Sequence, residues 1–198
     1  MTPRINPIPI RDWPPEMRDA LASMTPPVKR HAQPISEGRP KAMNLLSTYA
    51  HHPALAKAFF TFNGHIIMAT TLSERQRELI VLRIGVRRKA NYEFTQHLLM
   101  ANDAGISDEE IRRVESEADS PQWSDHDRAL LRAVDELIDD GGITAATWAV
   151  LATKMDDQQM LDMIYTVGAY ETLAFMLRSI EIQLDDGLAT LLAAFRSG

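Results

Sequence analysis

From residue 42 onward, apolar positions recur three or four apart, and strictly alternating runs of β-branched residues are missing. This spacing predicts helices near 42–50, 54–69, 74–88, 91–104, 108–117, 125–139, 145–154 and 157–184. The last is open to interruption near Gly168 or at Asp185-Asp186-Gly187. Start signals support the set. Ser73 is followed by Gln76, Ser107 by Glu110, Ser124 by Asp127 and Asp156 by Gln159, each at or close to capping-box spacing. Gly105 fits a helix end before the Ser107 start, and Gly141-Gly142 breaks the chain before Thr144. Gly85 interrupts a helical pattern at a cost of roughly 1 kcal/mol against alanine, which suits a close approach by another segment. The fold class read from this pattern is all-α, a compact bundle of about eight helices.

Residues 1–41 read differently. Nine of the 11 prolines fall there, and each removes a backbone donor and restricts the residue before it. The stretch is predicted to be an extended arm with one short helix over 15–24. The arm carries a formal charge of +3 and the remainder −9. Two domains are therefore expected, a proline-rich arm at 1–41 and a helical domain at 42–198. The arm lies either on its own domain or around a neighbouring subunit.

A chain of 198 residues is long enough to bury a core without staples. Its net charge of −6 argues against a general nucleic-acid binder. Cysteine is absent, which excludes disulfides, thiolate metal sites, a cysteine nucleophile and thiol peroxidase chemistry. The uncharged run 58–73 is interrupted by Thr61, Asn63, His65, Thr70 and Thr71, so no membrane span is read. Residues 1–10 contain no signal-like apolar region, and the expected location is cytoplasmic.

The chemically informative window is 72–110. Glu78 lies on a stripe with Arg75, Leu82 and Gly85. On the next helix Glu93 and His97 stand four apart, one turn apart on one face, beside the apolar stripe of Phe94, Leu98 and Ala101. A carboxylate and an imidazole so placed can tune each other for general acid–base work. The same pair also suits a surface or capping interaction. It does not have the two-histidine spacing of a zinc helix, and no metal is predicted. Arg83 offers a fork for a substrate carboxylate or a structural ion pair. Arg87 and Arg88 read more simply as the cationic last turn of a helix. Tyr92 and Gln96 either line a pocket or pack, and His65 either points into the same cavity or is an ordinary helix residue. Tyr165 and Tyr170 read as core or subunit contacts.

The segment LSERQRELIVLRIGVRRKANYEFTQHLLMANDAGISDEEI resembles the carboxymuconolactone decarboxylase family, which includes the AhpD-like alkylhydroperoxidases. The family pattern places a Glu early in one helix, then E-x-x-x-H or C-x-x-C-x-x-x-H on the next, then A-x-x-x-G and a new helix opened by Ser/Thr-x-Glu-Glu. Glu78, His97, Ala101 and Gly105 match it, and Glu93 supplies the Glu four before the His. Ala90 and Glu93 stand where the peroxidase branch has cysteines. Asn91 stands where the decarboxylases tend to carry a further His, and this chain is longer than they are.

The resemblance implies an AhpD-like bundle and a cofactor-independent lyase acting on a small carboxylated lactone or related enolisable carbonyl compound, with a place in aromatic-compound breakdown. No organic cofactor is needed, because such a substrate carries its own electron sink. His97 would donate the proton, Glu93 would tune and orient it, and Glu78 would be the partner acid or base. A lactone hydrolase, an isomerase or a non-catalytic binding protein on the same fold are the alternatives. The family's habit of assembling, and the apolar 157–184 helix with its methionines, imply self-association as a dimer, trimer or hexamer.

Overall fold

The computed structural model describes residues 2–35, 37–116 and 119–197. Among them the regular structure is entirely helical: α1 Met17–Ala22, α2 Met43–Tyr49, α3 Pro53–Gly64, α4 Glu74–Arg87, α5 Asn91–Asp103, α6 Asp108–Ser116, α7 Asp125–Asp140, α8 Ala145–Leu151, α9 Asp157–Ser179 and α10 Asp186–Ser197. The predicted end of α6 at residue 117 lies outside the described residues. Contacts divide the chain into two units, one of 1–70 with 177–198, the other of 71–176.

In the first unit the arm is tied to its own chain. Arg4 N–H donates to the Ile180 carbonyl at 2.8 Å, Ile8 N–H to Ser47 at 3.1 Å, and Arg30 N–H to Met68 at 2.7 Å. Trp13 Nε1–H closes on the Ile8 carbonyl at 2.9 Å. These bonds satisfy donors that an extended, proline-broken backbone cannot satisfy within itself. α1 packs on α3, where Gly64 lies so close to Met24 that an added Cβ would sit 2.8 Å from its carbonyl carbon. After Gly64 the helix widens into a π-helical turn, His65–Ala69, which the sequence pattern read as plain helix. The predicted helix 157–184 ends at Ser179 instead, and a further helix, α10, begins at Asp186. Leu188, Leu192 and Phe195 form its buried stripe, and Gly187 sits against Pro40 at 3.1 Å from an ideal Cβ.

In the second unit α4 is the axis. Leu79, Ile80, Val81, Leu82 and Ile84 are all fully buried, which an unbroken apolar run requires of a helix packed on several sides. α5, α6 and α7 contact α4, and α8 contacts α7. The Ser73–Gln76 capping box opens α4 with both of its reciprocal bonds, and Gly141 ends α7 at φ +71°. The polar side of α4 is fixed by ion pairs. Arg75 bridges Glu110 at 2.7 Å and Asp127 at 3.2 Å, and Arg87 reaches Asp135 and Asp139 at 2.7 Å each. Arg88 pairs with Glu171 of α9 and lies over the Phe175 ring. Arg87 and Arg88 therefore have specific partners beyond the helix terminus.

Candidate active site

α4 and α5 meet where Gly85 leaves room for Phe94. A Cβ at residue 85 would fall 3.1 Å from the Phe94 Cβ. The same helix pair sets Glu78 of α4 against His97 of α5. His97 Nδ1–H donates to Glu78 Oε2 at 2.6 Å, and Arg77 Nε–H donates to Glu78 Oε1 at 2.8 Å. Both acid and imidazole are buried, at 0% and 6% exposure. Burial by itself would push the Glu78 pKa up, but the charges and hydrogen bonds of His97 and Arg77 outweigh it and hold the carboxyl below its ordinary range. An ionised Glu78 can only accept, so Nδ1 carries the proton and Nε2 is left as the nitrogen for chemistry. Nε2 makes no hydrogen bond among the described residues.

Glu93 makes no hydrogen bond to His97 among the described residues. It is 2% exposed, and neither carboxyl oxygen has a hydrogen-bond partner among the described residues. Burial, reinforced by the negative charge of Glu171, raises its pKa well above the usual value, which favours the neutral carboxyl. The residue that orients His97 is Glu78, from the facing helix, and not Glu93 one turn away. Gln96 lies three residues beyond Glu93 on α5, with its Oε1 also buried and unpartnered. Tyr92 is buried on the first turn of α5.

Arg83 is engaged in the structural ion pair that its sequence position also suited. Its Nε and Nη2 donate to the two carboxylate oxygens of Asp135 at 2.8 Å each, and Nη1 to the Val114 carbonyl at 2.8 Å. This bidentate geometry fastens α4 to α7. His65 is exposed at the start of the π-helical turn and belongs to the first unit, whereas Glu78 and His97 belong to the second.

Two members of the cluster escape sequence reasoning. Arg77 is one, because adjacent helix residues diverge by about 100° and no spacing rule pairs 77 with 78. Tyr170 is the other. Its ring meets His97 edge-on with centroids 5.1 Å apart, and burial together with the nearby Glu78 charge raises its pKa well above normal. The sequence shows only an aromatic in an apolar helix.

The all-helical fold is one that solved AhpD-like proteins share. Residues 53–136, the region that holds Glu78, Glu93 and His97, match the Carboxymuconolactone decarboxylase family. The fold is similar to that of the debrominase Bmp8, solved as a cysteine-to-alanine variant with 2,3,4-tribromopyrrole. That pair has a TM-score of 0.72 and 14% identity over 98% of each chain. An uncharacterized peroxidase-related protein with an alkylhydroperoxidase AhpD core, from Ralstonia eutropha JMP134, gives a TM-score of 0.66 and 18% identity. The alignment covers 82% of this chain and 95% of that one. A peroxidase-related protein from Silicibacter sp. TM1040 gives 0.66 and 14%, with coverage of 82% and 94%. No curated protein matches the sequence. Among the described residues no helix is long and apolar enough to cross a membrane.

Proposed function

We propose that the protein is a cofactor-independent lyase of the carboxymuconolactone decarboxylase type, acting on a small carboxylated lactone or a related enolisable carbonyl compound. The observation that carries this reading is the buried 2.6 Å Glu78–His97 hydrogen bond one turn from a neutral, unpartnered Glu93. Two carboxyl groups whose surroundings drive their pKa values apart are the usual arrangement for dividing acid and base roles.

In the proposed reaction the bond between the substrate carboxylate and its carbon breaks and carbon dioxide departs. The electron pair passes into the lactone carbonyl as an enolate. Glu93, as a neutral acid, donates a hydrogen bond to the developing enolate oxygen. His97, as imidazolium, gives its Nε2 proton to the distal carbon and returns to the neutral Nδ1–H form held by Glu78. Arg77 keeps Glu78 ionised and in place. A neutral Glu93 also avoids opposing an anionic substrate with a second negative charge. The chain has no cysteine, so the thiol cycle of the family's peroxidase branch is closed to it. The apolar α9 face with exposed Leu161, Tyr165 and Phe175 is consistent with a self-associating protein.

The test is carbon dioxide release from 4-carboxymuconolactone by wild type, His97→Ala and Glu78→Gln. Loss of about 10²–10⁴-fold in kcat in His97→Ala is expected for a positioned proton donor. Turnover unaffected by His97→Ala would remove the proposed donor. A wild type without turnover on this lactone and on β-keto acids would defeat the lyase reading.

A further inference from the structure

A cavity of about 680 Å³ opens between α7 and α8, away from Glu78 and His97. Its size suits a small organic ligand. One part of the wall is apolar, from Ala129, Ala149 and Val150. The other is cationic, with Arg128 and Arg132 one turn apart on α7 and Lys154 just beyond α8. Asp125 is the one carboxylate in the lining.

The cations retain donors. Arg128 bonds Asp125 and Arg132 bonds Asp119, each through a single Nη2, which leaves most of each guanidinium's five N–H groups unused. The Lys154 side chain forms no hydrogen bond or ion pair among the described residues; its backbone N–H donates to the Leu151 carbonyl at 3.0 Å.

His126, in the same wall, supplies an independent observation. In the α4 capping box Gln76 Oε1 accepts from Ser73 N–H at 2.9 Å, which fixes the amide so that its Nε2 donates to His126 Nε2 at 3.2 Å. An amide nitrogen cannot accept, so His126 is neutral with its proton on Nδ1. That Nδ1–H is buried and has no acceptor. The wall thus sets three cations and an apolar surface against one acid, with the unanswered His126 Nδ1–H buried within the lining residue.

We propose that this cavity binds a small organic carboxylate with an apolar or aromatic body, the carboxylate between Arg132 and Lys154 and the body on Ala149 and Val150. The inference uses none of the His97 geometry and stands or falls separately from the lyase reading.

The probe is naphthoate, with naphthamide as its neutral counterpart, titrated calorimetrically into the full chain. Saturable binding of naphthoate, absent for naphthamide, is expected. Lys154→Gln and Arg132→Gln, both exposed and compatible with folding, should each weaken it about tenfold, equal to about 1.4 kcal/mol, while His97→Ala leaves it unchanged. Equal affinity for the amide, binding unaffected by Lys154→Gln and Arg132→Gln, binding lost in His97→Ala, or no binding would each overturn the proposal.

Discussion

Replacing Glu93 by glutamine should stabilise the protein increasingly as pH rises. The side chain is 2% exposed, has no hydrogen-bond partner and is driven well above its ordinary pKa by burial and by Glu171. In the unfolded chain a glutamate titrates near ~4.3. Between that value and the folded pKa, the native state binds one proton more than the unfolded state. The stability Glu93 contributes is therefore complete below ~4.3 and declines by about 1.4 kcal/mol per pH unit as pH rises through the window. Glutamine has nearly the same shape, remains neutral at every pH and lacks this slope. Other titrating groups are shared by the two proteins and cancel in the difference. Urea unfolding followed by circular dichroism, at three pH values one unit apart from about 4.5 upward, measures the effect. The Glu93→Gln minus wild-type difference should grow by about 1.4 kcal/mol at each step until the folded pKa is passed. Parallel stability curves would show that Glu93 ionises normally in the fold and would refute the assignment of a neutral acid.

Gly64→Ala should destabilise by about 1–3 kcal/mol or more in urea unfolding, because its Cβ would press on the Met24 carbonyl. Lys89→Gly should stabilise by about 1 kcal/mol in the same assay, since Lys89 holds φ +54° between α4 and α5, a conformation costly for a side chain. Arg83→Gln should lower stability by about 1–3 kcal/mol through loss of its bond to Asp135, while leaving the KM of any identified substrate unchanged. The Glu78 carboxyl, held low by His97 and Arg77, contributes stability present above the ordinary glutamate range and lost as pH falls through its folded pKa. Glu78→Gln should therefore flatten the acid limb of the stability profile.

Much of the helical framework was legible because its signals are local. Ser73, Ser107, Ser124 and Asp156 each begin a helix, and Gly105 and Gly141 sit past helix ends with positive φ. α10 was readable in principle from Leu188, Leu192 and Phe195, but Asp185-Asp186-Gly187 resembles a terminus, and its Asp residues also suit a helix start. The π-helical turn has no equivalent local marker. In the site, Glu78 and His97 could be named because a family pattern spans them. Which acid would hold the imidazole could not, since that depends on the α4–α5 approach and on the lack of a cation beside Glu93. Arg83 could be read as a clamp only while Asp135, 52 residues away, was not known to face it.

The two units differ in how they are drawn from the chain. Residues 71–176 are consecutive, whereas the other unit joins 1–70 to 177–198. Arg4 finds the Ile180 carbonyl, and Asn44 N–H finds Asp185 at 3.0 Å, 141 residues later. During synthesis, the carbonyls that Ile8 and Arg30 bond, Ser47 and Met68, are made early, whereas the Ile180 carbonyl that Arg4 bonds is made only after α9. The consecutive unit can nucleate on short loops, and the divided one closes the longest loop in the protein last. Until residues 177–198 are made, the start of the arm lacks the Ile180 carbonyl and Pro40 lacks Gly187, and the arm's vulnerability to proteases is greatest in that interval.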